Sequence, residues 1–321
     1  MLNIKNSFHR FHSSLNQRVP SNFIDFLRIS VGLILLVQMF FIWDQASDLF
    51  GERGLVQKEI SDFFANSFLN LRLIADILSW SVPKTLTVVL WLYVSLLVTM
   101  ILGLLSRVSS IGVWLLHHIV FMSAPLTFYG IDNYASVFLF YLAILPSNRN
   151  LSIDKKWGLI NKKQSRTVPY YCRLTIQIHL AITYVDAGLS KAMGASWWNG
   201  EAIYRALMLP EFQQMDFSWF HYLPWVPLII GLATLFLEVF YPFIMFHPRL
   251  RKYGLVGIIG MHLGIALFQG LHLFALLMIC LNIASFSQAI QNCKKVRIPC
   301  LVFTNHFLPR WIKIKVISKP I

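Results

Sequence analysis

Residues 23–43 read FIDFLRISVGLILLVQMFFIW, an apolar run that is long enough to cross a lipid bilayer. About 20 helical residues span the hydrocarbon core of a typical membrane. Seven more apolar runs follow along the chain. The eight predicted spans cover roughly residues 23–43, 84–104, 108–126, 131–146, 170–191, 223–246, 254–268 and 270–288. The predicted fold class is therefore all-α, a polytopic membrane helical bundle of about eight spans.

The composition agrees with a membrane setting. Hydrophobic residues make up 56% of the 321 residues and charged residues only 13%, whereas a soluble domain usually carries about 25% charged residues. A net charge of +14 is also found in proteins that bind nucleic acid. The basic residues, however, lie between the apolar runs, which is typical of membrane topology. We expect the chain to bind membrane lipid and no nucleic acid.

The connecting segments fall into two sets that differ in charge. One set is rich in Lys and Arg, contains Asp154 as its only acid, and comprises residues 1–22, 147–169, 247–253 and 289–321. The other set is mostly acidic and comprises residues 44–83, 129–133 and 192–222. Because short cytoplasmic loops collect basic residues, this pattern predicts that both termini are cytoplasmic. The predicted location is the inner (plasma) membrane, crossed several times.

Three regions follow from this topology. They are a basic cytoplasmic N-terminal segment (1–22), a transmembrane domain (23–288) and a basic cytoplasmic tail (289–321). The first of these lacks the apolar core and cleavage site of a removable signal peptide, so we expect the first span to stay attached. On the outer side, residues 44–83 and 196–215 have the mixed apolar spacing of interfacial helices.

Polar residues inside membrane spans are rare, and each is a functional hypothesis by default. In the fifth span, Gln177, Tyr184 and Lys191 are seven residues apart and share one helical stripe. His179 and Asp186 form a second stripe on the same span. The sequence therefore predicts that this helix carries much of any site.

Lys191 admits two interpretations. An amine held in an apolar, water-poor pocket is partly neutral and acts as a base. Alternatively, a lysine near the end of a span extends its ammonium group to the headgroups. Position alone favours the second interpretation.

The late spans add His262, with Gln269 seven residues later, and Glu238. His262 is either a proton carrier, a hydrogen-bond donor to a quinone or carboxylate oxygen, or a structural residue bonded to a backbone carbonyl. For Glu238 we predict a structural pairing with the buried Arg28.

Two other groups have simpler interpretations. His117 and His118 are adjacent and diverge by about 100° on a helix, so we expect no metal site there. Asp132 follows Gly130 and is expected to cap the fourth span. The chain contains no phosphate loop, dinucleotide fingerprint or nucleophile elbow.

The stretch YVDAGLSKAMGASWWNG (184–200) carries a family resemblance. A tyrosine precedes Ala-Gly, a lysine follows three residues after the glycine, and then come a tryptophan and a glycine. This pattern resembles that of the HTTM superfamily, the transmembrane domain of vitamin K-dependent gamma-carboxylase and of many short bacterial proteins. FLRISVGLILL, FYLAILPSNRNLSID and GMHLGIALFQGLHLFALLMI resemble further parts of that domain. The matching positions of the quoted pattern are Tyr184, Ala187, Gly188, Lys191, Trp197 and Gly200.

The resemblance implies specific roles. Lys191 corresponds to the base that is linked to vitamin K hydroquinone oxidation, so the implied catalytic residues are Lys191, His262 and Tyr184, with a vitamin K-like quinone as the suggested cofactor. We expect the protein to lack a counterpart of the carboxylase's large lumenal domain. It looks closest to short bacterial sporulation-delaying-protein B-like members, which support maturation of exported antimicrobial peptides with a partner protein. The predicted substrate-binding residues are Asp186, Gln177, Trp197 and Gln269, and no metal is predicted.

Three functional hypotheses stand. The leading one is an integral membrane protein that modifies or matures an exported peptide at the extracytoplasmic face, with a small partner protein. The second is a non-catalytic membrane scaffold or immunity-type peptide-binding protein. The third is a carrier with Asp186, Glu238 and His262 as a proton path, although the chain lacks the internal repeat common in carriers.

Overall fold

The computed structural model describes residues 12–51, 69–124, 129–160 and 166–291. Nearly all secondary structure there is α-helical. The elements are β1 (Arg18–Pro20), α1 (Asn22–Ile42), α2 (Ala46–Phe50), α3 (Leu71–Leu78), α4 (Val82–Leu102), α5 (Ser106–Met122), α6 (Gly130–Ile144), α7 (Ile153–Lys156), β2 (Thr167–Pro169), α8 (Tyr170–Ala192), α9 (Ala195–Trp198), α10 (Glu201–Met208), a 3-10 turn (Ser218–His221), α11 (Trp225–Val239), α12 (Tyr241–Phe246), α13 (Arg251–Gln269) and α14 (His272–Gln291).

The long helices coincide with the predicted spans to within a few residues. Within the described residues, α1, α4 and α13 are each long and apolar enough to cross a membrane, and α6, α11 and α14 are shorter apolar helices. The short helices α2, α3, α9 and α10 belong to the predicted outer connections. The prediction of an all-α membrane bundle is confirmed. Residues 52–68 of the first outer connection lie outside the described residues.

One predicted span is discontinuous. The run 223–246 was expected to be one helix, but it breaks at Phe240 into α11 and α12. Pro242 occupies the start of α12. A proline has no N–H to donate to the carbonyl four residues earlier, which here belongs to Glu238, and its ring also clashes with that carbonyl. The break therefore falls beside a buried acid.

The first span forms the centre of the bundle. Helix α1 packs against α4, α6 and α14, while α4, α5 and α6 follow one another as neighbours and α13 packs on α14. Helix α8 packs mainly against α11 and also contacts α12 and α14. A separate small core of Ile203, Leu207, Phe217 and Phe220 joins α10 to the turn that follows it. This satellite core holds the outer helices as a unit.

Arg28 is fully buried near the start of α1 and does not contact Glu238. Its Nε donates to the carbonyl of Ser147 at 2.9 Å, and its other nitrogens donate to the carbonyls of Met100, Ile101 and Leu151. The last carbonyls of a helix lack intrahelical partners and carry partial negative charge. The end of α4 therefore satisfies Arg28, and the predicted pairing of Arg28 with Glu238 is wrong.

The basic connecting segments meet at one end of the bundle. Strand β1 pairs with β2, so residues 18–20 and 167–169 are adjacent. The amide of Asp154 donates to the carbonyl of Gly103 at 3.1 Å, which joins α7 to the turn between α4 and α5. This clustering agrees with the alternation of the predicted topology. Which end faces the cytoplasm stays a prediction.

Asp154 caps α5 from another segment of the chain. Its carboxylate accepts from the amides of Leu105 and Ser106 at 2.7 and 2.9 Å, from the Ser106 hydroxyl at 2.9 Å, and from Asn148 at 3.2 Å. Burial by itself raises the pKa of Asp154, but these hydrogen bonds outweigh it and hold the pKa below the ordinary value of 3.8. The carboxylate therefore stabilises the fold above pH 3.8, and that contribution is lost as the pH falls through the lower folded-state pKa.

Asp154→Asn is expected to lower the thermal unfolding midpoint of the detergent-solubilised protein at pH 7. The substitution removes the charge and one acceptor oxygen, and each unsatisfied buried group costs about 1–3 kcal/mol. Asp216→Asn is the matched control, because Asp216 also accepts two hydrogen bonds, from Ser218, but is exposed. An equal effect of the two variants would contradict the assigned role of Asp154. So would a difference from the wild type that does not diminish as the pH is lowered from 3.8 through the folded-state pKa of Asp154.

Candidate functional site

A glycine on α8 allows the close approach that forms the site. Gly188 is buried, and a Cβ atom added there would lie 2.8 Å from the amide nitrogen of Val239 and 2.9 Å from the Cβ of Glu238. Side chains cannot be tolerated at such distances without a shift of the α11 backbone. Small residues commonly permit this kind of contact between membrane helices. The contact brings Lys191, one turn further along α8, to Glu238.

Lys191 and Glu238 form a salt bridge. The Nζ of Lys191 donates to both carboxylate oxygens of Glu238, at 2.7 and 2.6 Å. The Lys191 side chain is 28% exposed and that of Glu238 is 6% exposed. The Nζ also lies 5.4 Å from the centre of the Trp197 ring, in the range of a cation–π contact. A carboxylate partner for Lys191 was part of neither sequence interpretation.

The salt bridge lies well inside the bundle. Trp225 begins α11 thirteen residues before Glu238, so α11 continues about 20 Å beyond the salt bridge toward the predicted outer side. Helices α9 and α10 pack against this outer half of α11. The backbones of the two segments approach closely at Gly200, where an added Cβ atom would lie 2.5 Å from the amide nitrogen of Leu228. Along α11, the partly exposed Lys191 therefore lies below the outer end of the bundle.

A buried chain of hydrogen bonds adjoins the salt bridge. The hydroxyl of Tyr184 lies 2.7 Å from Nε2 of His262. Asn282 Nδ2 donates to the same hydroxyl at 2.9 Å, and the hydroxyl of Tyr241 donates to Asn282 Oδ1 at 2.6 Å. The rings of Tyr184 and Tyr241 stack with their centres 4.2 Å apart. All four residues are at most 3% exposed. The chain joins α8, α12, α13 and α14.

The second nitrogen of His262 is the open end of this chain. Its Nδ1 is buried and has no hydrogen-bond partner among the residues that the structure describes. The ring of Phe274 lies edge-on to the imidazole, with centres 5.8 Å apart. A buried polar atom without a partner is costly, so each instance asks for an explanation. A bound ligand would supply the missing partner of Nδ1.

The predicted substrate-binding residues are dispersed. Trp197 is half-buried and lies beside Lys191. Gln177 is buried two turns from Tyr184, where its Nε2 donates to the Ser285 carbonyl at 2.8 Å. Asp186 is exposed on α8, and Gln269 is the half-buried last residue of α13. The structure thus places Trp197 with the predicted catalytic residues and ties Gln177 into helix packing.

A second polar network lies between α1, α4, α5 and α6. The hydroxyl of Tyr93 is 2.9 Å from Nδ1 of His117, whose Nε2 is 3.2 Å from the carbonyl of Asp132. Asp132 also accepts from Gln38 at 2.7 Å and from the amide of Tyr129 at 3.1 Å, which caps α6. The predicted capping role of Asp132 is confirmed. His117 uses both ring nitrogens within the helix bundle. Across the described ranges, no three metal-binding side chains are grouped.

Sequence reasoning missed Asn282, Tyr241 and the role of Glu238 as the partner of Lys191. Asn282 interrupts the apolar run LLMICLNIASF, and the rule that singled out the other polar residues in spans applies to it equally. Tyr241 gave no such signal, because tyrosine is common near the ends of spans.

Substitutions at Lys191 and Glu238 should reveal coupling between the two residues. Lys191→Met and Glu238→Gln are each expected to lower the unfolding midpoint, because each leaves one polar or charged partner without its counterpart. Removing one partner of a fully buried ion pair costs about 3–5 kcal/mol, and the partial exposure of Lys191 reduces the expected cost. The double variant should be more stable than either single variant. Additive losses in the double variant, measured by thermal unfolding in detergent, would argue against the pairing.

Comparison with known proteins gives one finding. The HTTM domain profile matches residues 17–289, from β1 into α14 and well over half of the chain. No curated protein and no solved structure matches the chain. The HTTM domain is the membrane domain of gamma-carboxylase-type proteins, which agrees with the apolar helical bundle described above. The chain therefore belongs to the HTTM domain family.

Proposed function

We propose that this protein modifies or matures an exported peptide at the extracytoplasmic face of the bacterial inner membrane, which it crosses eight times. Lys191 and Glu238 would move a proton, and Tyr184 and His262 would bind the reacting group. The observation that carries the proposal is the salt bridge of Lys191 with Glu238, which lies inside the bundle beside a buried histidine with an unpartnered nitrogen.

The proton chemistry follows from the pair. As an ammonium group, Lys191 holds no free electron pair and cannot take a proton. Transfer of one Nζ proton to a carboxylate oxygen of Glu238, over 2.6–2.7 Å, yields a neutral amine and a carboxylic acid. The amine can then take a proton from the substrate, which leaves a Lys191 ammonium group, a protonated Glu238 and the substrate anion. The original ion pair returns when Glu238 gives its proton to the anionic product. Glu238 thus has a role in the reaction that the sequence did not suggest.

The residues present fit a quinone carbonyl as an additional group. His262 Nδ1 is a buried polar atom with no partner within the described part of the chain, and the rings of Tyr184 and Phe274 lie edge-on to the imidazole. A quinone, when bound, supplies two-electron redox chemistry. His262 would hold its carbonyl oxygen, while Tyr184 would orient the imidazole. Asp186, Trp197 and Gln269 stay predicted contacts for the peptide or for a small partner protein.

The second candidate is a non-catalytic scaffold or immunity-type protein that holds a peptide. The salt bridge also serves this function, because a buried ion pair can fix one packing of α8 against α11 without any chemistry. The two candidates differ in what they require of Lys191. Catalysis requires an amine that can lose a proton, whereas a scaffold requires only a cation.

Lys191→Arg separates these candidates. Arginine keeps a cation that can bind both oxygens of Glu238, but it is not deprotonated in proteins. We expect the variant to reach wild-type abundance in the membrane and to abolish peptide maturation. The measurement is comparative mass spectrometry of exported peptides from cells with the wild-type gene, without the gene and with the variant.

Lys155→Arg is the matched control, since Lys155 lies at the opposite end of the bundle and donates to Asn150. It should leave the exported peptides unchanged. Full maturation by Lys191→Arg would exclude Lys191 as a base and would favour the scaffold. Identical exported peptides with and without the gene would end the maturation proposal altogether.

A further inference from the structure

The orientation of the Asn282 side chain is fixed by a backbone carbonyl. Its Nδ2 lies 2.9 Å from the carbonyl oxygen of Met278 and 2.9 Å from the hydroxyl of Tyr184. The atom that faces a carbonyl oxygen must be the NH₂ nitrogen, because two acceptor oxygens would repel each other. The other side, Oδ1, then accepts from Tyr241. Both hydrogens of the amide are used in this arrangement.

This orientation determines the direction of the next hydrogen bond. The Tyr184 oxygen accepts from Asn282, so its own hydrogen is free to point elsewhere. The only other partner of that hydroxyl among the described residues is Nε2 of His262, at 2.7 Å. The hydroxyl therefore donates to Nε2. A ring nitrogen that accepts a hydrogen bond carries no proton, so the proton of the neutral imidazole is on Nδ1.

An imidazolium form does not fit the same geometry. With protons on both nitrogens, Nε2–H would donate to the Tyr184 oxygen. The hydrogen of Tyr184 would then have no acceptor within the part of the chain that the structure describes, although the residue is only 2% exposed. A buried hydroxyl without an acceptor is unfavourable. The network therefore selects one tautomer of a neutral histidine.

We infer that Asn282 is a positioning residue that holds His262 as a neutral Nδ1–H donor, and that this N–H binds an acceptor oxygen of the substrate or cofactor. The inference rests on the site of the proposed function and deepens it. Nδ1 is the one polar atom of the chain Tyr241–Asn282–Tyr184–His262 without a partner among the described residues. Its N–H therefore selects a carbonyl-like acceptor, and His262 acts as a fixed donor instead of a proton carrier.

The inference is tested by nitrogen-15 NMR of the histidine-labelled full-length protein in lipid nanodiscs. A ring nitrogen with an attached proton has a different chemical shift from one without. His262→Gln identifies the signals of His262 among the ten histidines by their loss. In the wild type, Nδ1 of His262 should carry the proton and Nε2 should not. In Asn282→Asp, an acceptor oxygen replaces Nδ2, so the Tyr184 hydroxyl should donate to it and its oxygen should accept from Nε2–H. His262 protonated at Nε2 should then become the main form.

Tyr93→Phe is the matched control, because it removes the corresponding hydroxyl from His117 and should change only the signals of His117. If Asn282→Asp does not fold, Tyr184→Phe, which removes the hydroxyl that donates to Nε2, should convert the pure Nδ1–H form of His262 into a mixture of both tautomers. A wild-type His262 that is protonated at Nε2, or at both nitrogens, would overturn the inference. So would a folded Asn282→Asp that keeps the pure Nδ1–H form. The NMR result does not depend on peptide maturation, so a failed maturation assay and a failed inference are distinguishable.

Discussion

The structure depends on the requirement that polar groups inside a membrane bundle find their partners within the protein. Lipid offers no hydrogen bonds, so every buried donor and acceptor must be satisfied by another helix or by its own backbone. Arg28 meets this requirement with four carbonyl groups at the end of α4 and in the loop before α7. Asp132 meets it with Gln38 and a backbone amide. These contacts join α1 to the end of α4, to the loop before α7 and to α6.

The same requirement explains why the candidate site lies where α11 ends. Pro242 removes the hydrogen bond that would normally reach the carbonyl of Glu238, and the helix breaks one residue after Val239. A broken helix is tolerated at membrane depth where other protein groups satisfy its backbone. Gly188 brings α8 close enough to cover this break. Lys191 and Tyr184 lie on the same stripe of α8. Lys191 contacts Glu238, and Tyr184 contacts residues of α12, α13 and α14. The break thus places the Lys191–Glu238 salt bridge beside the hydrogen-bond chain that Tyr184 joins.

The sequence predicted the helices well because each membrane span is an apolar run of about twenty consecutive residues. It also identified Lys191, His262 and Tyr184 as unusual, since each is polar within an apolar run. It did not predict which of these residues meet. Glu238 is 47 residues from Lys191, and nothing in either helix records how the two are rotated or staggered. The pairing of Glu238 with Arg28 failed for a related reason: opposite charge was visible in the sequence, but the carbonyl groups at the end of α4, which satisfy Arg28, carry no sequence signature.

Two buried histidines in the described part of the chain, His117 and His262, differ in how their second ring nitrogen is satisfied. Both bond to a tyrosine hydroxyl, His117 to Tyr93 and His262 to Tyr184, and both lie in helix-lined cores. His117 uses its second nitrogen on the carbonyl of Asp132, so it is saturated and can only hold helices together. His262 has no such partner for Nδ1 within the described residues. The arrangement at His117 is sufficient for helix packing. The second arrangement leaves a buried ring nitrogen without a partner near a charged pair, and the proposed ligand contact rests on this difference.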